Sequence, residues 1–137
     1  MKVRGKNYNV IIWDWLWTLY SRKERSLYDW VKEYFEMHGK ETTNFLVSFA
    51  NEPEKRKKLI EKHEMVKYFK DMIIERGNKK DMIGRLIGKY NLEKSSILIV
   101  GDNVAHEGVA AGELGIDFMH IRDWKKFLSD DLGFRSK

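Results

Sequence analysis

Four positions carry groups from which a catalytic site could be assembled, and each stands beside the end of an apolar run. Asp14 follows Val10–Trp13 (VIIW), Ser48 follows Phe45–Val47, and Asp102 follows Ile97–Val100 through Gly101. Lys79 or Lys80 opens an amphipathic stretch after Met72–Ile74, and the loop 77–80 leaves the choice between them open by one residue. If the apolar runs are strands of an open α/β sheet, residues just past their ends collect on one edge, where such folds bind ligands. Two carboxylates, a hydroxyl and an ammonium suit phosphoryl chemistry. The carboxylates offer hard oxygen ligands to Mg²⁺, and the hydroxyl and lysine meet the negative oxygens of the transferring group. One carboxylate could also attack phosphorus and form an aspartyl-phosphate.

One group is missing from this set. Two residues beyond Asp14, where a second acid would complete a two-carboxylate site, the chain has Leu16. Leucine cannot transfer a proton, so any reaction that needs general acid–base help at this place is slowed.

The segments around these positions predict the scaffold. Strand-like runs at Val10–Trp13, Phe45–Val47, Met72–Ile74, Ile97–Val100 and Phe118–Ile121 alternate with amphipathic stretches. Helical spacing of apolar residues marks Ser26–Met37, Lys79–Tyr90 and Glu107–Leu114. Pro53 suits the first turn of a helix running to about Lys62, and Trp124–Leu128 begins a short final helix. Five strands alternating with helices predict a parallel sheet covered on both faces by right-handed crossovers, an α/β/α sandwich. The 137 residues fit one domain, 1–137, with no linker and no internal repeat.

Composition narrows the function classes. Without cysteine there is no disulfide, thiol nucleophile or zinc–thiolate site. No apolar run approaches the ~20 residues of a membrane span, and the N-terminal residues lack a signal peptide's apolar stretch, so a cytoplasmic protein is expected. The net charge of +5 could mark a nucleic-acid binder. The basic residues are interleaved with acids, however, as in the segment 52–70, and a solvated helix face is the favoured reading.

Taken together, Asp14-x-x-x-Thr18 after a strand, Ser48 after a strand, a helix-opening lysine and VGDNVAHEGVAAGELGI resemble the haloacid dehalogenase (HAD) superfamily of hydrolases. The resemblance runs from about Asn9 to Ile121 with the four motifs in the family's order. Its most specific part is Gly101-Asp102 with Glu107, Ala110, Ala111 and Gly115, similar to the family's Gly-Asp-x-x-x-x-Asp pattern, with Glu107 in place of the second aspartate. The aromatic residue before Thr18 is similar to the magnesium-dependent phosphatase branch.

The resemblance implies a Rossmann-like HAD fold and a Mg²⁺-dependent phosphohydrolase acting on a phosphorylated substrate. Asp14 would be the nucleophile and a Mg²⁺ ligand, Asp102 a second side-chain ligand, Glu107 a further support of the metal, and Leu16 a ligand through its backbone carbonyl. Ser48, Lys79 and Thr18 would bind the phosphate. Family phosphatases carry their acid–base aspartate where this chain has Leu16, so turnover is expected to be slow. Neither Ser21–Asn44 nor Asn51–Asn78 is long enough for a cap domain, which suits an open site, bulky substrates or closure by another subunit. The rival reading is a catalytically inactive HAD-like domain serving as a protein-interaction module.

Blander readings stand beside several of these residues. Glu107 could be a first-turn helix acid favoured by the macrodipole, and His106 an exposed loop histidine. Trp13 and Trp15 suit packing, while Trp17 suits either packing or the mouth of the site.

Overall fold

A computed structural model describes residues 1–135. Its centre is a five-stranded parallel sheet of β1 (Val10–Trp13), β2 (Thr43–Phe49), β3 (Asp71–Glu75), β4 (Ile97–Gly101) and β5 (Asp117–His120). The spatial order is β3-β2-β1-β4-β5. Around it lie α1 (Val31–His38), α2 (Pro53–Lys62), α3 (Lys79–Tyr90), α4 (Val109–Leu114) and α5 (Ile121–Leu132). The strand order reverses at β1, which pairs with β2 on one side and β4 on the other. This reversal opens a crevice beyond the carboxyl ends of β1 and β4, and Asp14 and Asp102 stand there.

Sheet burial explains why the strands read as unbroken apolar runs. Ile11, Trp13, Leu46, Leu98 and Val100 point to one face, where they meet residues of α1, α2 and α5 such as Phe35, Ile60 and Trp124. Val10, Ile12, Phe45, Val47, Ile97 and Ile99 point to the other, against Met82, Ile83 and Leu86 of α3 and Ala110 and Ala111 of α4. With both faces covered, successive residues are all apolar. The expected three-layer α/β/α fold with a five-stranded parallel sheet is the observed one.

Several boundaries differ from the sequence reading. The helix expected over Ser26–Met37 begins only at Val31, because Ser26–Leu27 pairs antiparallel with Tyr20–Ser21 in a small ribbon. Ser48 lies inside β2 rather than beyond it. The helix expected from Glu107 begins at Val109, after a wide π-type turn over Val104–Gly108. Ile121, expected to end the fifth strand, instead starts α5, which is longer than the predicted Trp124–Leu128. The stretch between β1 and β2 holds only the ribbon, α1 and a 3₁₀ turn, and that between β2 and β3 only α2 and a 3₁₀ turn.

Three basic residues of the segment 52–70 take acidic partners. Lys55 pairs with Glu52, Lys57 with Glu54 and Lys67 with Glu36, as a solvated charged face would. No helix among the described residues is long and apolar enough to cross a membrane.

Trp13 anchors the strand that delivers Asp14. Its ring lies 5.1 Å from that of Trp124, 5.2 Å from Phe35 and 5.7 Å from Tyr34. Its indole Nε1 donates to Asn44 Oδ1 at 3.0 Å, and Asn44 Nδ2 donates to the Gly39 carbonyl at 2.8 Å. Asn44 is therefore a buried polar hub tying β1, β2 and the end of α1 together. Asn44→Ala is expected to destabilise the fold by about 2–4 kcal/mol, because it leaves the Trp13 and Gly39 groups unpaired in a dry interior. Urea unfolding measures this, and a loss below about 0.5 kcal/mol, the scale of an ordinary surface substitution, would contradict the assigned role.

Candidate active site

Each candidate side chain reaches the crevice for a local reason. Asp14 follows the last residue of β1, and its backbone N–H still donates to the Val100 carbonyl at 3.1 Å, which holds it against the end of β4. The chain then winds tightly around one acceptor. The Trp15 carbonyl takes N–H bonds from Thr18, Leu19 and Tyr20 at 3.3, 2.9 and 3.0 Å. Trp17 crosses this turn with φ +63°, a left-handed conformation uncommon for a bulky residue. Trp15 is buried and stacks on Tyr20, whereas Trp17 is partly exposed.

Lys79 is the first residue of α3, whose preceding Asn78 caps the helix by accepting from the Asp81 N–H. From there its Nζ donates to Asp14 Oδ1 at 2.8 Å and to the Val47 carbonyl at 2.7 Å, and lies 3.6 Å from Glu107 Oε1. Lys80, the alternative left open by the loop, instead pairs at 3.1 Å with Glu113 on the surface. Thr18 is enclosed, and its hydroxyl donates to Asp14 Oδ2 at 3.3 Å instead of facing the crevice.

Glu107 owes its position to the π-type turn. The Asn103 carbonyl accepts from the Glu107 N–H at 2.9 Å and more loosely from its neighbours, while the Asn103 side chain accepts from the His106 N–H. This wide turn swings Glu107 inward to 3% exposure. Gly101 makes room for it, since a Cβ there would stand 3.0 Å from Glu107 Cγ. His106 stays exposed, as its loop placement suggested.

Asp14, Asp102 and Glu107 form one cluster, with a ligand oxygen from each lying within 4.8 Å of the others. Glu107 Oε2 is buried and has no hydrogen-bond partner. Three carboxylates face one nearby ammonium, so the cluster has spare oxygens and spare negative charge. A hard divalent cation such as Mg²⁺ fits that donor set.

The titration of the cluster reflects the same imbalance. Burial alone would raise the Asp14 carboxyl, but the charge and hydrogen bond of Lys79 outweigh it, and Asp14 is held below its ordinary value. Burial, followed by the hydrogen bond and charge of Asp14, pushes Asp102 up to about 7. Burial and then the charge of Asp14 likewise push Glu107 to about 7. Asp14 thus stays ionised, while Asp102 and Glu107 take up protons more readily than ordinary carboxyls.

Two polar neighbours of these side chains carry no sequence signal. Arg56, on α2, donates from Nη1 to Ser48 Oγ at 2.6 Å, and more weakly to the Phe49 carbonyl at 3.4 Å. Ser48 itself is buried. His120 accepts from the Arg122 N–H at Nδ1, so its other nitrogen, Nε2, carries the proton that it donates to the Asp102 carbonyl at 2.9 Å. It thereby ties the loop bearing Asp102 to the end of β5. No local pattern marks either residue, since Arg56 sits among similar charges and His120 ends a short strand.

A pH effect follows from the raised carboxyls. Asp102 and Glu107 bind protons more tightly folded than unfolded, so between about pH 4 and 7 folding takes up protons and stability falls as pH rises. His63, whose pKa is lowered mainly by burial, acts in the opposite sense. Comparison with a variant isolates the cluster. With EDTA present, Glu107→Gln should gain several degrees in Tm over the parent as pH is raised from 5 to 8, and excess Mg²⁺ should remove that advantage. A Tm difference independent of pH would contradict the assignment.

No family model matches the sequence, and no curated protein matches it. Solved structures match at the level of the fold. A hydrolase from Streptococcus pneumoniae superposes with a TM-score of 0.72 at 18% identity, over 90% of this chain and 99% of that one. A haloacid dehalogenase-like family hydrolase from the same organism gives 0.69 at 12% identity, over 81% and 83%. The N-terminal part of a Bacteroides fragilis protein, which contains a phosphatase domain and was solved with Mg, gives 0.71 at 18% identity, over 97% of this chain and 42% of that one. With a parallel sheet of matching architecture and the acidic cluster on its carboxyl edge, the chain has the fold of the haloacid dehalogenase-like hydrolases.

Proposed function

We propose that this chain is a Mg²⁺-dependent phosphohydrolase that works through an aspartyl-phosphate on Asp14, without a cap inserted between its motifs and as one HAD-like domain. The observation that carries the reading is the Lys79–Asp14 contact at 2.8 Å beside two further carboxylates, one of which has an unpartnered oxygen. Asp14 is kept ionised and so remains a nucleophile at neutral pH. Thr18 and Lys79 each take one of its oxygens and fix its orientation.

Asp102, Glu107, Asp14 and the Leu16 carbonyl would hold the cation, which when bound supplies positive charge to the phosphoryl oxygens. Lys79 serves the same oxygens as a fixed ammonium. Ser48 accepts from Arg56 at Oγ, and its hydroxyl donates only over a long 3.5 Å to the Phe49 carbonyl, a bond that it would exchange for one to a phosphoryl oxygen. In the reaction Asp14 attacks phosphorus, the leaving oxygen departs, and water later cleaves the aspartyl-phosphate. Leu16 can neither protonate the leaving oxygen nor activate that water, so turnover is slow.

The second reading, an inactive domain that binds a protein, draws on the rim of the crevice. Trp17, Phe49, Val104 and Val109 are 43, 48, 60 and 50% exposed, and all stand on turns or element ends around the carboxyl edge. An apolar rim of this kind suits a bulky partner or a bulky phosphorylated substrate.

Kinetics separate the two. Hydrolysis of an aryl phosphate with Mg²⁺ should be slow in the parent, absent in Asp14→Asn and faster by about 10²-fold or more in Leu16→Asp, the usual scale of general acid–base help. Activity that survives Asp14→Asn, or its complete absence from both the parent and Leu16→Asp, would overturn the enzymatic reading.

A further inference from the structure

Beside the acidic cluster lies a cleft of about 560 Å³ whose wall includes Leu16, Tyr20, Arg22, Lys55 and Arg56. Leu16 occupies the place from which an acid would serve the leaving group, so on the nucleophile reading this cleft is where the leaving group goes. Lys55 is paired with Glu52 at 3.3 Å, but neither Arg22 nor Arg56 has a carboxylate within ion-pair distance among the described residues. The two guanidiniums are close enough to act on one another. Burial and the charge of Arg22 both disfavour the charged form of Arg56, while the field of Asp14 favours it. Two cations that repel each other along an open cleft, whose lining carboxylate Glu52 is taken by Lys55, form a receptor for an anion.

The missing acid constrains the same group independently. Without a proton donor, the leaving oxygen must depart with its negative charge. An alkoxide, the conjugate base of an acid about as weak as water with pKa ~16, leaves poorly under that condition. A phosphate that already carries a proton or an organic group leaves readily, since the oxygen it frees then belongs to an ionisation near pH ~6.

We propose that the substrate is a phosphoanhydride, whose departing phosphate is received between Arg22 and Arg56 in the cleft beside Leu16. The proposal rests on Asp14 as the nucleophile and adds the class of substrate. An oxygen of Asp14 forms a bond to the terminal phosphorus. The bond from that phosphorus to the bridging oxygen breaks, and its electron pair leaves on the bridging oxygen with no proton transferred. Water then attacks the phosphorus of the aspartyl-phosphate, the bond to the Asp14 oxygen breaks, and the proton of water passes to the released inorganic phosphate. One anhydride and one water thus give two phosphate products. Arg22 and Arg56 stabilise the developing charge, which serves in place of protonation.

Rates with Mg²⁺ for inorganic pyrophosphate and for aryl phosphates of graded phenol acidity test this. For the parent, kcat/KM should fall steeply as the phenol becomes less acidic. Pyrophosphate should be cleaved at least about ten-fold faster than the aryl phosphate of matched leaving-group pKa, the scale of one charged hydrogen bond. Arg22→Gln and Arg56→Gln should each shrink that ratio by about ten-fold, and Arg56→Lys should restore part of it. If Arg56→Gln does not fold, as judged by circular dichroism, the exposed Arg22→Gln carries the same comparison. Aryl phosphate turnover that depends on Asp14 but shows no anhydride preference would overturn this proposal alone, as would arginine variants that lower both substrates equally. Failure to turn over even dinitrophenyl phosphate in an Asp14-dependent manner would remove the nucleophile reading and this proposal with it.

Discussion

The ion pair between Lys79 and Asp14 is the contact on which the site depends. At 2.8 Å and largely out of solvent, it holds one carboxylate ionised in a place where burial would otherwise protonate it. The same ammonium lies 3.6 Å from Glu107, so a single cation organises much of the acidic cluster. It does not neutralise that cluster. Separate devices bring each member in: the strand end of β1, the capped start of α3, the π-type turn after β4 and the space left by Gly101. A protein has little reason to concentrate carboxylates at a dry sheet edge for stability, since unpaired buried charge is destabilising. The proposed function accounts for the arrangement as a receptor for a cation and a phosphoryl group.

On the proposed function, Leu16 divides the chemistry of the site into parts that are kept and a part that is lost. The proposed nucleophile, metal-ligating oxygens and phosphate donors involve other groups, and Leu16 still offers a backbone carbonyl. Proton transfer is what a leucine side chain cannot supply. The neighbouring cleft carries a different resource in Arg22 and Arg56, which can stabilise charge without moving a proton. On that reading, a leucine at this position changes which leaving groups are suitable without silencing the site.

Much of the scaffold was legible because burial leaves a strong mark on sequence. The span of β1 is an unbroken apolar run ended by an acid, α2 starts on a proline at its first turn, and α3 starts after an asparagine cap. The start of α1 was not legible, because Leu27 has helical spacing yet is taken by Tyr20 in a ribbon that local periodicity cannot anticipate. Glu107 shows a similar limit. Its membership of the acidic cluster follows from a turn wider than an α-helix, whereas helical spacing made it the first residue of a helix. The choice between Lys79 and Lys80 needed one residue of register, which α3 supplied through Asn78. Arg56 was hidden for a plainer reason: on a helix crowded with basic residues, only the fold shows which one reaches Ser48.

The proposed function requires Asp14 to accept a phosphoryl group beside a cation held by Asp102 and Glu107. The most direct measurement is a crystal structure of the protein with Mg²⁺ and beryllofluoride, which mimics a phosphoryl group on a carboxylate. The account predicts beryllium bonded to an oxygen of Asp14, Lys79 and Ser48 donating to its fluorides, and Mg²⁺ ligated by Asp102. A crystal grown under the same conditions with no adduct on Asp14, or with the cation bound away from Asp14 and Asp102, would contradict it.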